Sequence, residues 1–219
     1  MTEAKPKSLQ SNSISPTPSS GTTDWRVVEP LTLTPLLVAA LEVFHELGYH
    51  GASVRDIAKR AGVTVPTLYY HHGNKQGILV TLMESGIENV TARAEAAVDA
   101  AGPSATERFG NLVEACVLHM TSRTGIAFLD SELRYLEEDE RKSYAAKRKK
   151  LENLLLDVLA DGVEHEEFTI TDIPGTARAL LGMCQSVVLW YRSDGPQTPV
   201  DVSVLYRQLA LNAVGVLPA

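Results

Sequence analysis

Apolar side chains recur three and four positions apart along most of the chain after Leu31, which is the spacing of one face of an α-helix. The stripe formed by Leu37, Ala40, Leu41 and Phe44 is a clear example. No stretch shows the strict alternation of apolar and polar residues that a half-buried β-strand requires. The pattern therefore predicts an all-α fold of about nine helices.

Capping residues, prolines and glycines mark where these helices begin and end. Thr34 followed by Pro35 predicts the start of the first helix, and Gly48 predicts its end. Thr198 followed by Pro199 predicts the start of the last helix in the same way. The other helices are expected over about residues 54–60, 65–71, 75–100, 104–122, 126–135, 138–161 and 172–193.

Composition divides the chain into three regions. Residues 1–24 are rich in Ser, Thr and Pro and poor in large apolar side chains, and we predict a disordered tail over residues 1–30. A small helical domain over residues 31–76 follows, and then a larger one over residues 77–219. The protein is expected to bury a real core, because 44% of its 219 residues are hydrophobic.

Charge is distributed unevenly between these regions. The net charge of −7 argues against a non-specific nucleic-acid coat. Residues 31–80, however, carry four basic against three acidic side chains, while residues 81–219 carry 13 basic against 21 acidic ones. Any contact with a polyanion is therefore expected in the N-terminal third.

Several classes of protein are disfavoured by missing motifs. Cys116 and Cys184 lie far apart within apolar helical patterns and lack the spacing of metal ligands, so we expect two reduced core thiols. Neither a nucleophile elbow nor a glycine-rich phosphate loop occurs, so we expect no catalytic residue, no metal and no cofactor. The missing catalytic motifs favour a protein that is not an enzyme. The chain has no apolar run long enough to span a membrane and no signal peptide, which favours a cytoplasmic protein.

Two short capped helices, over residues 54–60 and 65–71, are joined by Ala61-Gly62-Val63. This separation suits a helix-turn-helix, because glycine permits the sharp bend. The second helix has no acidic side chain that would repel phosphate, so its surface is a candidate to enter a DNA major groove. The residues of that surface are Val65, Pro66, Thr67, Tyr69, Tyr70 and His71.

This stretch resembles the TetR family of bacterial transcriptional regulators over about 45 residues. The matching positions are Gly48-Tyr49, Ser53, Ile57-Ala58, Ala61-Gly62-Val63-Thr64, Leu68-Tyr69, His71 and Lys75. The helix count downstream also fits the family's nine-helix plan over roughly residues 31–216. The resemblance implies a DNA-binding head over residues 31–76 and a ligand-sensing, dimerising body over residues 77–219.

Roles for individual residues follow from the matched motif. The resemblance implies phosphate contacts at Thr64, Tyr69, His71 and Lys75 and base-reading positions at Val65, Pro66, Thr67 and Tyr70. Arg55 is a further candidate for a phosphate or base contact. The alternatives are that Tyr69 packs on the first short helix and that Arg55 is simply solvated. Two departures stand out: His72 replaces the usual phenylalanine, and the customary arginine near the start of the first helix is missing, unless Arg26 supplies it.

The body carries large apolar side chains with a few polar ones among them, which is typical of a small-molecule cavity, although ordinary core packing is the alternative for each. The candidate ligand-binding residues are Phe109, Cys116, His119, Met120, Phe128, Met183 and Trp190. Residues 180–192 are apolar around much of a helix, and Leu205, Leu209 and Ala213 mark one face of the next. We expect these last two helices to form a four-helix dimer interface.

The segment Trp190-Tyr191-Arg192 with the following Asp194-Gly195-Pro196 is similar to the branch of the family that responds to acyl-CoA or steroid-CoA thioesters. The basic run 147–150 is either a site for CoA phosphates or a solvated face. The function expected is a dimeric repressor that binds a palindromic operator and is released by a small hydrophobic ligand of the acyl-CoA type. The alternative is a non-enzymatic helical protein-interaction module without operator binding.

Overall fold

The computed structural model describes residues 24–216, and within them the chain forms nine α-helices and no β-strand. The predicted all-α class is confirmed. A 3₁₀ segment, Leu129–Tyr135, follows the sixth helix. The helices are α1 (Pro35–Gly51), α2 (Val54–Ala61), α3 (Val65–His72), α4 (Lys75–Asp99), α5 (Ala105–Ser122), α6 (Thr124–Phe128), α7 (Glu138–Glu164), α8 (Ile173–Trp190) and α9 (Pro199–Ala213). None of them is both long and apolar enough to cross a membrane.

Side-chain caps set most of the helix starts. In each, a side-chain oxygen accepts a hydrogen bond from a backbone N–H of the first turn, which would otherwise lack a partner. The capping residues are Thr34, Ser53, Thr64, Asn74, Ser104, Asp172 and Thr198. Because capping depends on nearby residues alone, the helix starts agree closely with the sequence prediction.

Helices α1 and α7 both run past the ends predicted at Gly48 and residue 161. Gly48 has a φ of +69° and interrupts α1 as expected, but one further turn continues to Gly51. Gly162 does not end α7. A Cβ at this position would lie 2.1 Å from the ring of Phe168, so the glycine is needed for a close approach rather than for termination.

Two helix ends also differ. Tyr191 has an extended backbone, so α8 ends at Trp190 and not near residue 193. The single helix predicted over 126–135 is instead α6 followed by the tighter 3₁₀ segment. Within that segment Asp130 is hydrogen-bonded by side chains of α7 and α8, and local sequence pattern does not reveal such contacts.

The first three helices and the start of α4 pack into a small N-terminal domain, which we call the head. Its core contains Phe44 of α1, Ile57 of α2, Leu68 of α3 and Leu79 of α4, all nearly or completely buried. Because α4 continues for five more turns beyond this core, it joins the head rigidly to the rest of the protein.

The helices from α4 to α9 form a larger domain, the body, around α5. This central helix packs against α4, α7, α8 and α9 and is buried over almost its whole length. Arg207 of α9 lies across Gly110, where a Cβ would come within 2.5 Å of the guanidinium. The same guanidinium donates to Glu107 at 2.8 Å and to Glu114 at 2.9 Å, which joins α9 to α5.

Residues 24–30 pack on the body instead of continuing the tail predicted over residues 1–30. Trp25 is 6% exposed and sits against α4 and α5. Arg93 of α4 donates to the Trp25 carbonyl at 2.5 Å. One large aromatic side chain anchors this segment, so the predicted tail boundary at residue 30 is too late, although the Ser-, Thr- and Pro-rich composition ends at residue 24. Residues 1–23 of the predicted tail lie outside the described residues.

Arg26 also belongs to this packed segment. Its guanidinium lies 4.0 Å from the ring centroid of Trp25 and 3.8 Å from a carboxylate oxygen of Glu114. The side chain is therefore held on the body and does not supply the phosphate anchor that the first helix lacks.

Candidate functional site

Local sequence sets the turn between α2 and α3. Ser53 and Asp56 cap the start of α2 reciprocally. Gly62 ends this helix with a φ of +68°, a left-handed conformation that favours glycine. Thr64 then caps α3: its hydroxyl accepts from the Thr67 N–H at 3.3 Å and lies 2.9 Å from the Thr67 hydroxyl. The two helices form a helix-turn-helix.

One side of α3 is buried and the rest is open. Leu68 has no exposed surface, whereas 86% of Tyr70 is exposed. Thr64, Pro66, Thr67, Tyr69 and His71 are also exposed, and Val65 is half-buried. No residue of α3 is acidic, so the open surface offers hydroxyls, aromatic rings and an imidazole, groups that suit base edges and phosphates. These residues, and exposed Arg55 on α2, stay predicted DNA contacts.

Lys75 is engaged within the protein. Its Nζ donates to the carbonyls of Tyr49 and Ala52 at 2.8 and 2.9 Å, and it lies 4.5 Å from the Tyr49 ring centroid. Burial lowers the pKa of this ammonium group. Since these bonds hold the end of α1 against the start of α4, the geometry supports a positioning role rather than the predicted phosphate contact.

His72 occupies the position where the resembled pattern has phenylalanine. The ring is half-buried, and its Nδ1 lies 3.5 Å from the Thr81 hydroxyl of α4. Burial lowers the pKa of His72, and the neighbouring His71 adds to this effect. The ring therefore packs on α4 as an uncharged group and takes over the structural place of the phenylalanine.

A second candidate site is a cavity of about 70 Å³ in the body, which we call the body cavity. It lies between α4, α5, α6, α7 and α8. Its apolar lining includes Met83, Ile87, Val90, Met120, Ile126, Leu151 and Leu181. A Cβ on Gly86 would lie 2.5 Å from the Ile126 side chain, so α4 and α6 approach closely beside it. Ligand pockets usually enclose about 300–1,000 Å³, so a larger ligand must separate these helices.

A polar cluster forms one part of the cavity wall. The Tyr144 hydroxyl donates to Asp130, and Gln185 Nε2 donates to the other carboxylate oxygen at 3.1 Å. Burial raises the pKa of Asp130 and of Tyr144. Arg148 also lines the cavity. Of these four, sequence reasoning missed Asp130 and Tyr144 as site residues. Arg148 belongs to the basic run 147–150, which the sequence offered as a site for CoA phosphates, and Gln185 stands out as a polar residue within an otherwise apolar stretch.

His119 of α5 lines the same cavity and is 3% exposed. Its Nδ1 has no hydrogen-bond partner among the described residues. Burial lowers the pKa of His119 to about 3, and the nearby Arg123 and Arg93 act in the same direction. The ring is therefore uncharged at neutral pH and has one donor and one acceptor nitrogen.

The buried neutral state of His119 should make stability depend on pH. In the unfolded chain the imidazole gains a proton below about pH 6.5, whereas in the fold it does not until about pH 3. Stability is therefore complete above pH 6.5 and lost as pH falls, by about 2 kcal/mol between about pH 7.5 and pH 5. In denaturant titrations this loss should be absent from His119→Leu and retained in Met120→Leu, a control on the same helix. Equal pH dependence in both variants would show that His119 is not the group responsible.

Three of the seven predicted ligand-binding residues, Cys116, His119 and Met120, line the body cavity. Phe109 does not. Its side chain is fully buried in the core and packs edge to face on Phe168, with ring centroids 5.5 Å apart. Apolar character and helical spacing predict burial, but they do not show which side of a buried helix meets the cavity.

The remaining three predicted ligand residues also lie elsewhere. Phe128 is half exposed beside α8, outside the body cavity. Met183 packs on the core. Trp190 stacks on Tyr206, and its indole N–H donates to the Tyr206 hydroxyl at 3.2 Å. Met183 and Trp190 miss the cavity because α8 turns another side toward it, the side that carries Leu181, Cys184 and Gln185.

The basic run 147–150 is mixed in role. Lys147 pairs with Glu84 at 3.2 Å and with Glu88, both on α4, which agrees with the solvated, ion-paired alternative. Arg148 differs because it lines the body cavity. Arg148 is therefore the one cation of this run that can meet a ligand in the body cavity.

One face of α8 and α9 exposes apolar side chains. Leu189 is 75% exposed and Val200 is 60% exposed. Trp190, Val204, Leu205 and Leu209 are also exposed on these two helices. Several large apolar side chains exposed on neighbouring elements are typical of a protein interface. The two helices are those that the sequence assigns to dimerisation.

Within residues 24–216 no three His, Cys, Asp or Glu side chains lie close enough together to hold a metal ion. Cys116 and Cys184 are both free thiols buried in the core, as predicted. Burial raises the pKa of Cys116 to about 12, so this thiol is unreactive at neutral pH.

Two protein-family models match the chain. Residues 36–82, which span α1 to the start of α4, match "Bacterial regulatory proteins, tetR family". Residues 102–214, which span α5 to α9, match "Tetracyclin repressor-like, C-terminal domain". The two matches are separated by residues 83–101, which include most of α4.

Known proteins resemble the chain over most of its length. HTH-type transcriptional repressor KstR2 of Mycobacterium tuberculosis is 28% identical over 184 residues, which cover 82% of this chain and 90% of that protein. The structure of the TetR family regulator PfmR from Thermus thermophilus is 28% identical, with a TM-score of 0.75 and coverage of 81% and 97%. AibR in complex with isovaleryl coenzyme A and operator DNA is 21% identical, with a TM-score of 0.71 and coverage of 80% and 95%, a likeness of fold.

Proposed function

Because the chain belongs to the TetR family of bacterial regulatory proteins, it is a DNA-binding transcriptional regulator, and we propose that it represses its target genes by binding a palindromic operator as a homodimer. A small hydrophobic ligand bound in the body cavity releases it from DNA. The named relatives are regulators. We therefore propose that this protein is a regulator and not an enzyme, and that it acts in the cytoplasm.

The observation that carries this proposal is the open surface of α3. This helix is fixed on the head by buried Leu68, capped by Thr64, and bears no acidic side chain. We assign Thr67 and Tyr70 to base edges and Tyr69 and His71 to phosphates, and the exposure of all four side chains supports this assignment. A protein-interaction module, the alternative function, gives no reason for a surface free of carboxylates in an acidic protein.

Dimerisation supplies the second reading helix. The exposed apolar face of α8 and α9 can pair with the same face of a second copy, since a two-fold interface is self-complementary. Such a dimer presents two copies of α3 to successive major grooves, which recur about every 34 Å along DNA. The operator is then a palindrome.

The effector proposed is an acyl-CoA thioester. The body cavity has mostly apolar walls, which suit an acyl chain, and Arg148 provides a cation for an anionic group. AibR was solved with isovaleryl coenzyme A and operator DNA, and it shares the fold. This supports the same class of ligand here.

Two connections couple the body cavity to the head. Helix α4 packs in the head through Leu79 and lines the cavity through Ile87 and Val90. The 3₁₀ segment carries Asp130 in the cavity at one end, and at the other end Tyr135 packs edge to face on His50 of α1, with ring centroids 4.3 Å apart. A ligand that separates α4 from α6 therefore shifts the head, and the population moves to a state whose reading helices are wrongly spaced.

The proposal is tested by titrating the protein onto duplex DNA from upstream of its own gene and following fluorescence anisotropy. We expect specific binding that weakens steeply as salt rises, because phosphate contacts release counterions. Octanoyl-CoA should then release the DNA, while coenzyme A alone should not. Absence of specific binding even at low salt would favour the interaction module, and release by coenzyme A alone would contradict a hydrophobic effector.

A further inference from the structure

One polar group of the body cavity lacks a partner. Tyr144 and Gln185 each donate to one carboxylate oxygen of Asp130, so both oxygens of that carboxylate have a partner within the wall. His119 is buried beside Cys116 and Met120, and its Nδ1 makes no hydrogen bond among the described residues. An unpaired nitrogen in apolar surroundings costs the free energy of a lost hydrogen bond, and such groups in native proteins usually have a functional reason.

The two cations nearest His119 are engaged through their terminal nitrogens, while the Nε of each has no hydrogen-bond partner among the described residues. Arg93 donates to the carbonyls of Trp25 and Val27 at 2.5 and 3.3 Å, and Arg123 donates to the carbonyl of Glu29. Both guanidinium groups are thus used to hold residues 24–30 on the body. They disfavour a proton on His119 without serving as its partner, so the imidazole remains a neutral group facing the cavity.

We propose that the hydrocarbon part of the effector carries a neutral oxygen, a hydroxyl or a carbonyl, that hydrogen-bonds to His119. This inference rests on the proposed function and narrows its ligand class. A neutral imidazole has one donor and one acceptor, which a hydroxyl matches fully and a carbonyl in part. A carboxylate is disfavoured, because it would be buried in a cavity that Asp130 also lines, and neither Arg93 nor Arg123 lines that cavity to pair with it.

The competing hypothesis is that His119 hydrogen-bonds to the thioester carbonyl, which every acyl-CoA carries. In that case an oxygen on the acyl chain would not change the concentration at which the compound releases DNA. An oxygen within the chain predicts discrimination, since a buried polar group left unpaired by a plain chain penalises that ligand. Comparing acyl-CoAs of equal length therefore separates the two.

The test measures operator release by octanoyl-CoA and by its mono-hydroxylated counterparts with the hydroxyl moved along the chain. We expect at least one hydroxylated compound to release DNA at a concentration about tenfold lower than octanoyl-CoA. His119→Leu should remove this preference. Met183→Leu, a conservative change on α8 outside the body cavity, should keep it, as should His119→Gln, which retains a donor and an acceptor. Operator binding without effector checks that each variant is folded.

Two results would overturn the inference, and they differ in what else they overturn. If octanoyl-CoA and every hydroxylated compound release the DNA of the parent equally, His119 does not select an oxygen, while the repressor and its effector class stand. If no acyl-CoA releases the DNA, the proposed effector class fails together with the inference. If His119→Leu does not bind operator, the inference is still decided by whether the parent protein responds to a hydroxylated compound at lower concentration than to octanoyl-CoA.

Discussion

Replacing Leu205 with arginine should convert the dimer into monomers of 23.8 kDa and lower operator affinity at least about 100-fold. Leu205 lies with Val204 and Leu209 on the exposed apolar face of α9. In a two-fold interface the substitution enters twice, and burying an unpaired charge costs several kcal/mol each time. A monomer holds only one half of the operator, so affinity falls with the loss of the second head.

Light scattering coupled to gel filtration measures the mass, and anisotropy measures the affinity. Leu47→Arg is the matched control, because Leu47 is a similarly exposed leucine on α1, away from α8 and α9. The Leu47→Arg variant should still have the mass of a dimer. If Leu205→Arg also remains dimeric, the interface lies elsewhere on the body.

Removing one hydroxyl from α3 should weaken DNA binding by about 100-fold or more. A hydrogen bond to a charged acceptor contributes about 1.5–3 kcal/mol. Tyr69→Phe would remove such a bond from each of the two heads, and about 1.4 kcal/mol corresponds to a factor of ten. The loss should be similar on every DNA sequence, because a phosphate contact carries no sequence information.

Tyr135→Phe controls for the chemical change, since it removes a hydroxyl from an exposed tyrosine outside α3. Its operator affinity should equal that of the parent. If Tyr69→Phe binds operator as tightly as Tyr135→Phe, the Tyr69 hydroxyl makes no phosphate contact. Tyr69 would then serve to pack α3, the alternative role with which its half-exposed ring also agrees.

The head could be predicted from the sequence because its structure is set locally. Ser53, Gly62 and Thr64 fix the ends of α2 and α3 through contacts within three residues. Once these ends are known, helical spacing alone turns Leu68 inward and leaves Tyr70 exposed. The fold class follows for the same reason.

The body cavity could be predicted only in part because its polar wall is built from distant segments. Asp130, Tyr144 and Gln185 come from the 3₁₀ segment, α7 and α8, and no spacing pattern brings them together. Likewise, Lys75 matches a motif position, but its bonds to the Tyr49 and Ala52 carbonyls depend on how α1 meets α4. The type of a residue shows which interactions its side chain can make, whereas tertiary packing decides which partner the side chain actually meets.

Selection of the tightest-binding duplexes from a pool of random DNA tests the central claim most directly, which is that two copies of α3 read one operator. We expect the recovered duplexes to share a palindrome whose half-sites are centred about one or more helical turns apart. The same selection with Thr67→Ala should recover palindromes altered at the positions that this residue contacts. Recovery of unrelated or non-palindromic sequences by the parent protein would contradict the claim.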